Sequence, residues 1–269
     1  MIRNTLLFIA LLAPFASVHA ADGWKLGAGA DYSSGDYGSD TTTTIWSVPV
    51  TARYDTGAWT FKASLPWLQV NGDVNVLPGL GEVGNSNPNG RGNGKGQGNP
   101  SQPTPATPET GSASGIGDLR LYGIYAFDTG TPLGIDLSAN VKIATADEDK
   151  ALGTGANDYG LALDLYRDID GTTVFGGVSY TLLGDSEFID TNDVFGANIG
   201  VSHDIAVGAL GVSYDWRQAA SDTADDRSEF TGFWSVHSSE TTKWQLYGVL
   251  GLSDGSPDWG GGVSISHAF

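Results

Sequence analysis

Breaks in the alternating apolar–polar pattern of this chain are short and long by turns, and that parity constrains the fold more than any single residue does. After an N-terminal segment there are twelve runs of alternation, the last ending at Phe269. Tight breaks fall at Asp55–Ala58, Asp128–Thr131, Asp168–Thr172, His203–Gly208 and His237–Thr242. Between them lie wider gaps at Ser33–Thr43, Val70–Gly115, Ala144–Asp158, Leu183–Asp193, Gln218–Glu229 and Ser253–Asp258. Short turns on one side and long loops on the other are the pattern of a transmembrane, antiparallel up-and-down β-barrel. A soluble sandwich has no reason to sort its loops by parity. An even number of strands also places both termini on the short-turn, periplasmic side.

The first residues carry a targeting pattern. Arg3 supplies a positive start, Leu6–Leu12 an apolar stretch and Val18-His19-Ala20 a small-residue cleavage site, so residues 1–20 read as a secretory signal peptide. The apolar stretch is well short of the roughly 20 residues that span a bilayer. The remainder, 21–269, is large enough for one all-β unit. No later apolar run is long enough for a transmembrane helix, so entry into a membrane requires a closed barrel. The 39 glycines favour strands and turns over helices, and with no cysteine there is neither a disulfide framework nor a thiolate metal site. The formal charge of −18 argues against nucleic acid as a partner, because phosphate binding needs a basic face.

Each strand sorts its residues into two faces. In the first, Trp24, Leu26, Ala28, Ala30 and Tyr32 oppose Lys25 and Asp31. In a later one Leu133, Ile135, Leu137, Ala139, Val141 and Ile143 oppose Asp136, Ser138, Asn140 and Lys142. Period two with one apolar face means a half-buried strand. Two features assign the apolar face to lipid. The opposite face is charged or small, with Lys25, Arg53, Lys62, Arg120, Asp136, Lys142 and Asp164 among it. The outward aromatics gather at strand ends: Trp46, Trp67, Trp216 and Trp259 on the long-loop side, Trp24, Trp59 and Trp244 on the short-turn side. Two such belts are the interfacial girdles of a membrane barrel.

The segment 84–115 is rich in Gly, Asn and Pro and lacks large apolar groups, so it cannot offset the entropy of folding alone. It reads as a flexible extracellular loop; a plug folded into the lumen would need anchors that this stretch does not carry.

Catalytic and metal-binding readings are weak. Beyond the signal the histidines are His203, His237 and His267, all at or near periplasmic strand ends. A Ser–His–acid hydrolase acting at the outer leaflet would need one at the other end. No catalytic residue is assigned. Asp147-Glu148-Asp149-Lys150 and the group Asp222, Asp225, Asp226 and Glu229 lack the spacing of a calcium loop and read as solvated extracellular acids. Neither a metal nor a cofactor is expected. What remains is the inward face. Lys25, Arg53, Lys62, Arg120 and Lys142 cluster on strands of the first half, with Asp136 and Asp164 among them and Tyr122, Tyr166 and Tyr247 adding aromatic surface. Such charges either set the selectivity of a pore or pair across strands to fill a narrow lumen, and the pattern alone does not separate the two.

Several stretches together resemble a known family. Ser64-Leu65-Pro66-Trp67-Leu68-Gln69-Val70 precedes the Gly-rich loop, which ends in Ser114-Gly115-Ile116-Gly117-Asp118-Leu119. Val141-Lys142-Ile143-Ala144-Thr145-Ala146-Asp147 and Leu152-Gly153-Thr154-Gly155-Ala156-Asn157-Asp158-Tyr159 follow. This order is similar to the bacterial outer-membrane transporter family labelled MetA-pathway of phenol degradation, most clearly over Ser64–Leu165. The resemblance implies uptake of aromatic or hydrophobic small molecules and names no catalytic residue. The terminal Phe269, as in outer-membrane proteins generally, implies insertion by the barrel-assembly machinery.

The sequence therefore predicts an outer-membrane barrel of about twelve strands serving as a passive channel for a small-molecule solute, with Lys62, Arg120 and Lys142 tuning it. The alternative is a structural or surface-interaction barrel without transport, its acidic loops meeting lipopolysaccharide through divalent cations.

Overall fold

A computed structural model describes residues 22–87, 91 and 110–269. The signal segment and most of the Gly/Asn/Pro-rich stretch lie outside the described residues. The barrel strands are β1 (Gly23–Gly35), β2 (Thr43–Thr56), β3 (Trp59–Asp73), β6 (Thr110–Ile116) with β7 (Leu119–Phe127), β8 (Leu133–Ile143) and β9 (Asp158–Ile169). They continue with β10 (Thr172–Leu182), β11 (Val194–Ile205), β12 (Gly208–Arg217), β13 (Arg227–His237), β14 (Thr242–Gly251) and β15 (Trp259–Ala268). A small hairpin, β4 (Val76–Leu77) and β5 (Gly81–Glu82), stands apart.

Strands β6 and β7 both pair with β3 and form one stave, interrupted at Gly117–Asp118. That gives twelve antiparallel staves. Pairing of β1 with β15, in the register Lys25↔Ala268 to Ser34↔Trp259, closes the wall. No sheet edge is left to hydrogen-bond with anything but its neighbour, as a membrane wall requires.

The short turns match the sequence pattern. At β9–β10 Asp170 and Gly171 both adopt positive φ, 53° and 76°, the combination a two-residue type I′ hairpin demands and the reason an Asp-Gly pair sits there. The long gaps differ most at the second. The third strand runs on to Asp73 and the fourth begins at Thr110, so the wall on either side of the long second loop stands taller than the alternation indicates.

Outward residues are exposed and apolar along the wall, from Leu26, Val50 and Leu161 to Ile199, Leu246 and Val263. Aromatic rings cluster in two belts. On the long-loop side Tyr32 packs on Trp46 and Trp259 at centroid distances of 4.9 and 5.2 Å, and Phe195 on Trp216 at 6.2 Å. On the short-turn side Trp24 meets Tyr54 at 5.0 Å, Trp59 meets Tyr125 at 4.9 Å, and Phe269 lies against His267 at 5.0 Å. Trp67 and Trp244 are also exposed on the outer face. A wall with an apolar waist between two aromatic belts is built to meet hydrocarbon.

Candidate functional site

The chain leaves β3 at the extracellular rim and turns back across the mouth. Alternate residues of a strand point to opposite faces, and the β4–β5 hairpin uses both. Val76 packs with Ile45, Leu68 and Val70 from β2 and β3, together with Tyr37 and Leu152. Its neighbour Leu77 packs the other way, with Val83, Val194 at the start of β11, and Ala151, Ile189 and Ala220 from the loops. In a wall of twelve staves, β2–β3 and β11–β12 lie on opposite sides. The hairpin therefore spans the mouth. Burial of each such aliphatic side chain contributes about 1.5–3 kcal/mol before the cost of ordering the loop.

Three arginines clasp this hairpin through its backbone. Arg217, the last residue of β12, donates from Nη1 to the Gly79 carbonyl at 3.2 Å and from Nη2 to the Leu80 carbonyl at 2.7 Å. Arg227 of β13 reaches Gly79 at 3.5 Å. Arg91 donates to the carbonyls of Val76 at 3.1 Å, Ala151 at 3.1 Å and Asp73. Burial pushes the Arg91 guanidinium down to about 10, with Asp73 acting in the other direction; it stays charged at neutral pH. The hairpin is further tied to the loop after β10 by an isolated antiparallel bridge between Asn85 and Ile189, flanked by Ser86 N–H to the Phe188 carbonyl at 3.0 Å.

The hairpin carries one acid that responds to pH. Burial raises the Glu82 carboxyl above its ordinary 4.5, and the neighbouring charges of Asp73 and Asp225 raise it further. A docked hairpin thus holds the Glu82 proton more tightly than an undocked one, so docking is favoured below the window that begins near 4.5 and weakens as pH rises through it. Ion current through the barrel is expected to fall as pH is lowered from neutral toward the ordinary carboxylate range, and Glu82→Gln to remove much of that dependence. An unchanged pH profile in the variant would dissociate Glu82 from the effect.

Below the hairpin, inward side chains form two zones. The upper one is charged. Lys142, only 3% exposed, makes an ion pair with Asp158 at 2.8 Å, lies 3.7 Å from Asp118 and donates to Thr154 Oγ1 at 2.9 Å. Asp118 also accepts from the backbone of Thr145 and Ala146 at 3.1 and 3.0 Å. The motif stretches around Gly117–Asp118 and Thr154–Asp158 thereby bind the loop after β8 to the break in the fourth stave. Removing Lys142 would strand two buried carboxylates. Lys142→Met is expected to destabilise the barrel by about 3–5 kcal/mol, read as an earlier loss of heat-modifiable migration on gels. A shift indistinguishable from wild type would show that the triad is not a structural ion pair.

The lower zone mixes charge and aromatic surface. Lys25 and Arg53 both pair with Asp55, at 3.1 and 2.8 Å. Lys62 Nζ lies 5.6 Å over the Tyr122 ring. Asp136 and Asp164 are buried on the inner face. Several inner rings lie flat on the wall. A Cβ at Gly134, Gly200 or Gly211 would come within 2.1 Å of the rings of Tyr166, Phe175 or Phe233 respectively, so glycine at those places makes room for a ring that would otherwise project to the axis. Tyr247 crosses Gly262 in the same way and donates its hydroxyl to Asp31.

The sequence-predicted lumen residues all face inward, but they do not form one site. Lys25 and Arg53 gather near the periplasmic end, Lys142 is enclosed near the mouth, and Lys62 and Tyr122 sit between. Two expectations need correction. The basic residues are not confined to the first half, because Arg217, Arg227 and Lys243 also occupy inward positions. Glu229 is not a loop acid; it lies in β13, faces inward and pairs with Arg227. Parity could have placed Arg217 inside, since it continues the row Ser213, Asp215 behind Val212, Tyr214 and Trp216. Its position at the edge of a gap hid it.

Several acids of the long loops are engaged within the loop layer: Asp147 pairs with Lys150 at 2.9 Å, Asp149 accepts from Asn87 of another loop at 3.0 Å, and Asp226 from the Ala219 backbone at 2.9 Å. Among the described residues no three His, Cys, Asp or Glu side chains converge as a metal site would. His203 and His267 lie at periplasmic strand ends, bonded to Thr172 and Thr242 at 2.8 and 2.9 Å.

No protein-family model matches this chain. No curated protein matches it either. Solved structures do. The COG4313 outer membrane channel from Pseudomonas putida F1 superposes with a TM-score of 0.68 at 15% identity, covering 96% of this chain and 100% of that one. The translocator domain of the autotransporter NalP from Neisseria meningitidis gives 0.53 at 12% identity over 93% of this chain and 90% of that one. The KdgM porin gives 0.51 at 8% identity over 91% and 99%. At such identities the likeness establishes the antiparallel barrel and leaves the cargo to be argued from the lumen.

Proposed function

We propose that this chain is an outer-membrane channel for passive uptake of small solutes, aromatic ones among them. The observation that carries this reading is the inner wall below the hairpin. A barrel stabilised for its own sake would interdigitate large apolar side chains at its axis. Here most inward positions hold charged, hydroxyl or amide groups and glycines, with rings laid along the wall and few aliphatic side chains, Ile124 and Val249 among them. The apolar packing around the hairpin is gathered at the mouth, on an element that is not part of the wall. The similarity to an outer membrane channel and a porin supports the reading.

On this reading residues 1–20 direct export, the barrel-assembly machinery inserts the chain through a final strand ending in Phe269, and the acidic long loops face lipopolysaccharide. Charge selection falls to Arg120 and Lys62 more than to Lys142, whose charge is already balanced by Asp118 and Asp158. Liposomes containing the refolded barrel test the proposal: they are expected to swell in a small neutral solute such as glycerol faster than empty liposomes. Equal rates with correctly folded protein would favour the structural barrel.

A further inference from the structure

Arg217 is 6% exposed and has no ion pair among the described residues. Its guanidinium touches only neutral acceptors, the Gly79 and Leu80 carbonyls, and its Nε has no acceptor at all. The carboxylates whose charge reaches it are Glu229 and Asp158, and each is engaged elsewhere, Glu229 by Arg227 and Asp158 by Lys142. The cations acting on it are Arg227 and Arg120. A buried guanidinium surrounded by spent carboxylates and further arginines is costly unless something completes it.

We propose that Arg217 is the binding site for a small aromatic carboxylate, and that binding unlatches the hairpin from the mouth. This rests on the channel reading above. A carboxylate offers a guanidinium two charged acceptors in matching geometry, a contact roughly twice as strong as one to a neutral carbonyl. An anion that takes the Arg217 donors leaves Gly79 and Leu80 without theirs, so ligand binding and hairpin docking compete for the same N–H groups. The ring of the ligand would then point away from the hairpin, into the barrel. Competition of this kind is reciprocal: what loosens the hairpin must tighten the anion.

Benzoate is the probe. Calorimetric titration of the refolded full-length barrel is expected to show saturable binding, weakened at least tenfold by Arg217→Gln. Leu77→Asp, which undocks the hairpin while leaving Arg217 intact, is expected to strengthen benzoate binding about tenfold. In liposomes, benzoate is expected to raise the flux of neutral glycerol through the wild-type barrel. No binding to wild type, undiminished binding to the Gln variant, or no gain in the Leu77→Asp barrel would each overturn the site. The last comparison holds even if the Arg217 variant fails to fold. Glycerol flux through Leu77→Asp separates the two readings: flux without benzoate binding overturns the Arg217 site alone, and absence of flux overturns the channel itself.

Discussion

Cross-linking the hairpin in place is expected to reduce solute flux at least tenfold. Asn85 and Ile189 face each other across an isolated antiparallel bridge in which the flanking hydrogen bond, Ser86 to Phe188, marks a non-hydrogen-bonded pair. Such pairs bring Cα atoms to about 4.5 Å, within the range a disulfide accepts. The chain has no cysteine of its own, so Asn85→Cys/Ile189→Cys introduces a single bridge. Oxidised protein should lose flux and reductant should restore it. The reason lies in where the hairpin is anchored. Its two faces pack on opposite walls, so passage requires it to lift, and the bridge ties its outgoing limb to the loop that follows β10. Flux that is unchanged on oxidation would mean that solute bypasses the hairpin.

The complementary change should open the mouth. Leu77 is fully buried in the cluster with Val83, Val194 and Ala220. An aspartate there gives up the leucine's burial, about 2–5 kcal/mol, and adds the larger penalty of an ionised group in an apolar site. At 1.4 kcal/mol per tenfold, the docking equilibrium should move by at least about a hundredfold. The wall meets this cluster only at Val194, the first residue of β11, so Leu77→Asp should keep the heat-modifiable migration of a folded barrel while mean conductance rises several-fold. A variant that is folded and no more conductive than wild type would remove the hairpin as the barrier.

Much of the architecture was legible from residues alone because a lipid-facing wall imposes simple rules. Period two, outward apolar side chains and aromatic belts follow from the environment of each strand by itself, so Trp24, Tyr32, Trp46 and Trp259 report their places without knowledge of their neighbours. The hairpin did not announce itself. Val74, Val76, Leu77 and Val83 lie inside what reads as a long gap, too few and too close to turns at Gly79 and Gly81 to suggest an element. Their partners come from β2, β3, β11 and four separate loops, contacts that only the closed barrel brings together. The described part of the glycine-rich stretch does carry anchors, Arg91 on the carbonyls of Val76 and Ala151 and Asn85 on Ile189, which its composition does not reveal.

The candidate site was legible in part for the same reason. Alternation placed Lys62, Arg120 and Lys142 on the inner face, yet alternation is silent on what each finds there. Lys142 meets Asp118 and Thr154 from turns well separated in the chain, and becomes part of the scaffold. Arg217 sits at the boundary of a gap, and its significance depends on a hairpin more than a hundred residues earlier. The pairing of inner rings with glycines on neighbouring strands, Tyr166 with Gly134 and Phe175 with Gly200, depends on cross-strand register that the turns set but the strands do not display.

A channel must let ions or solute cross the wall. Single-channel recording of the refolded wild-type chain in a planar bilayer measures this directly. Discrete conductance steps, larger in Leu77→Asp and abolished when Asn85→Cys/Ile189→Cys is oxidised, are the predicted result. A flat baseline from protein shown to be folded and inserted, in wild type and in Leu77→Asp alike, would contradict it.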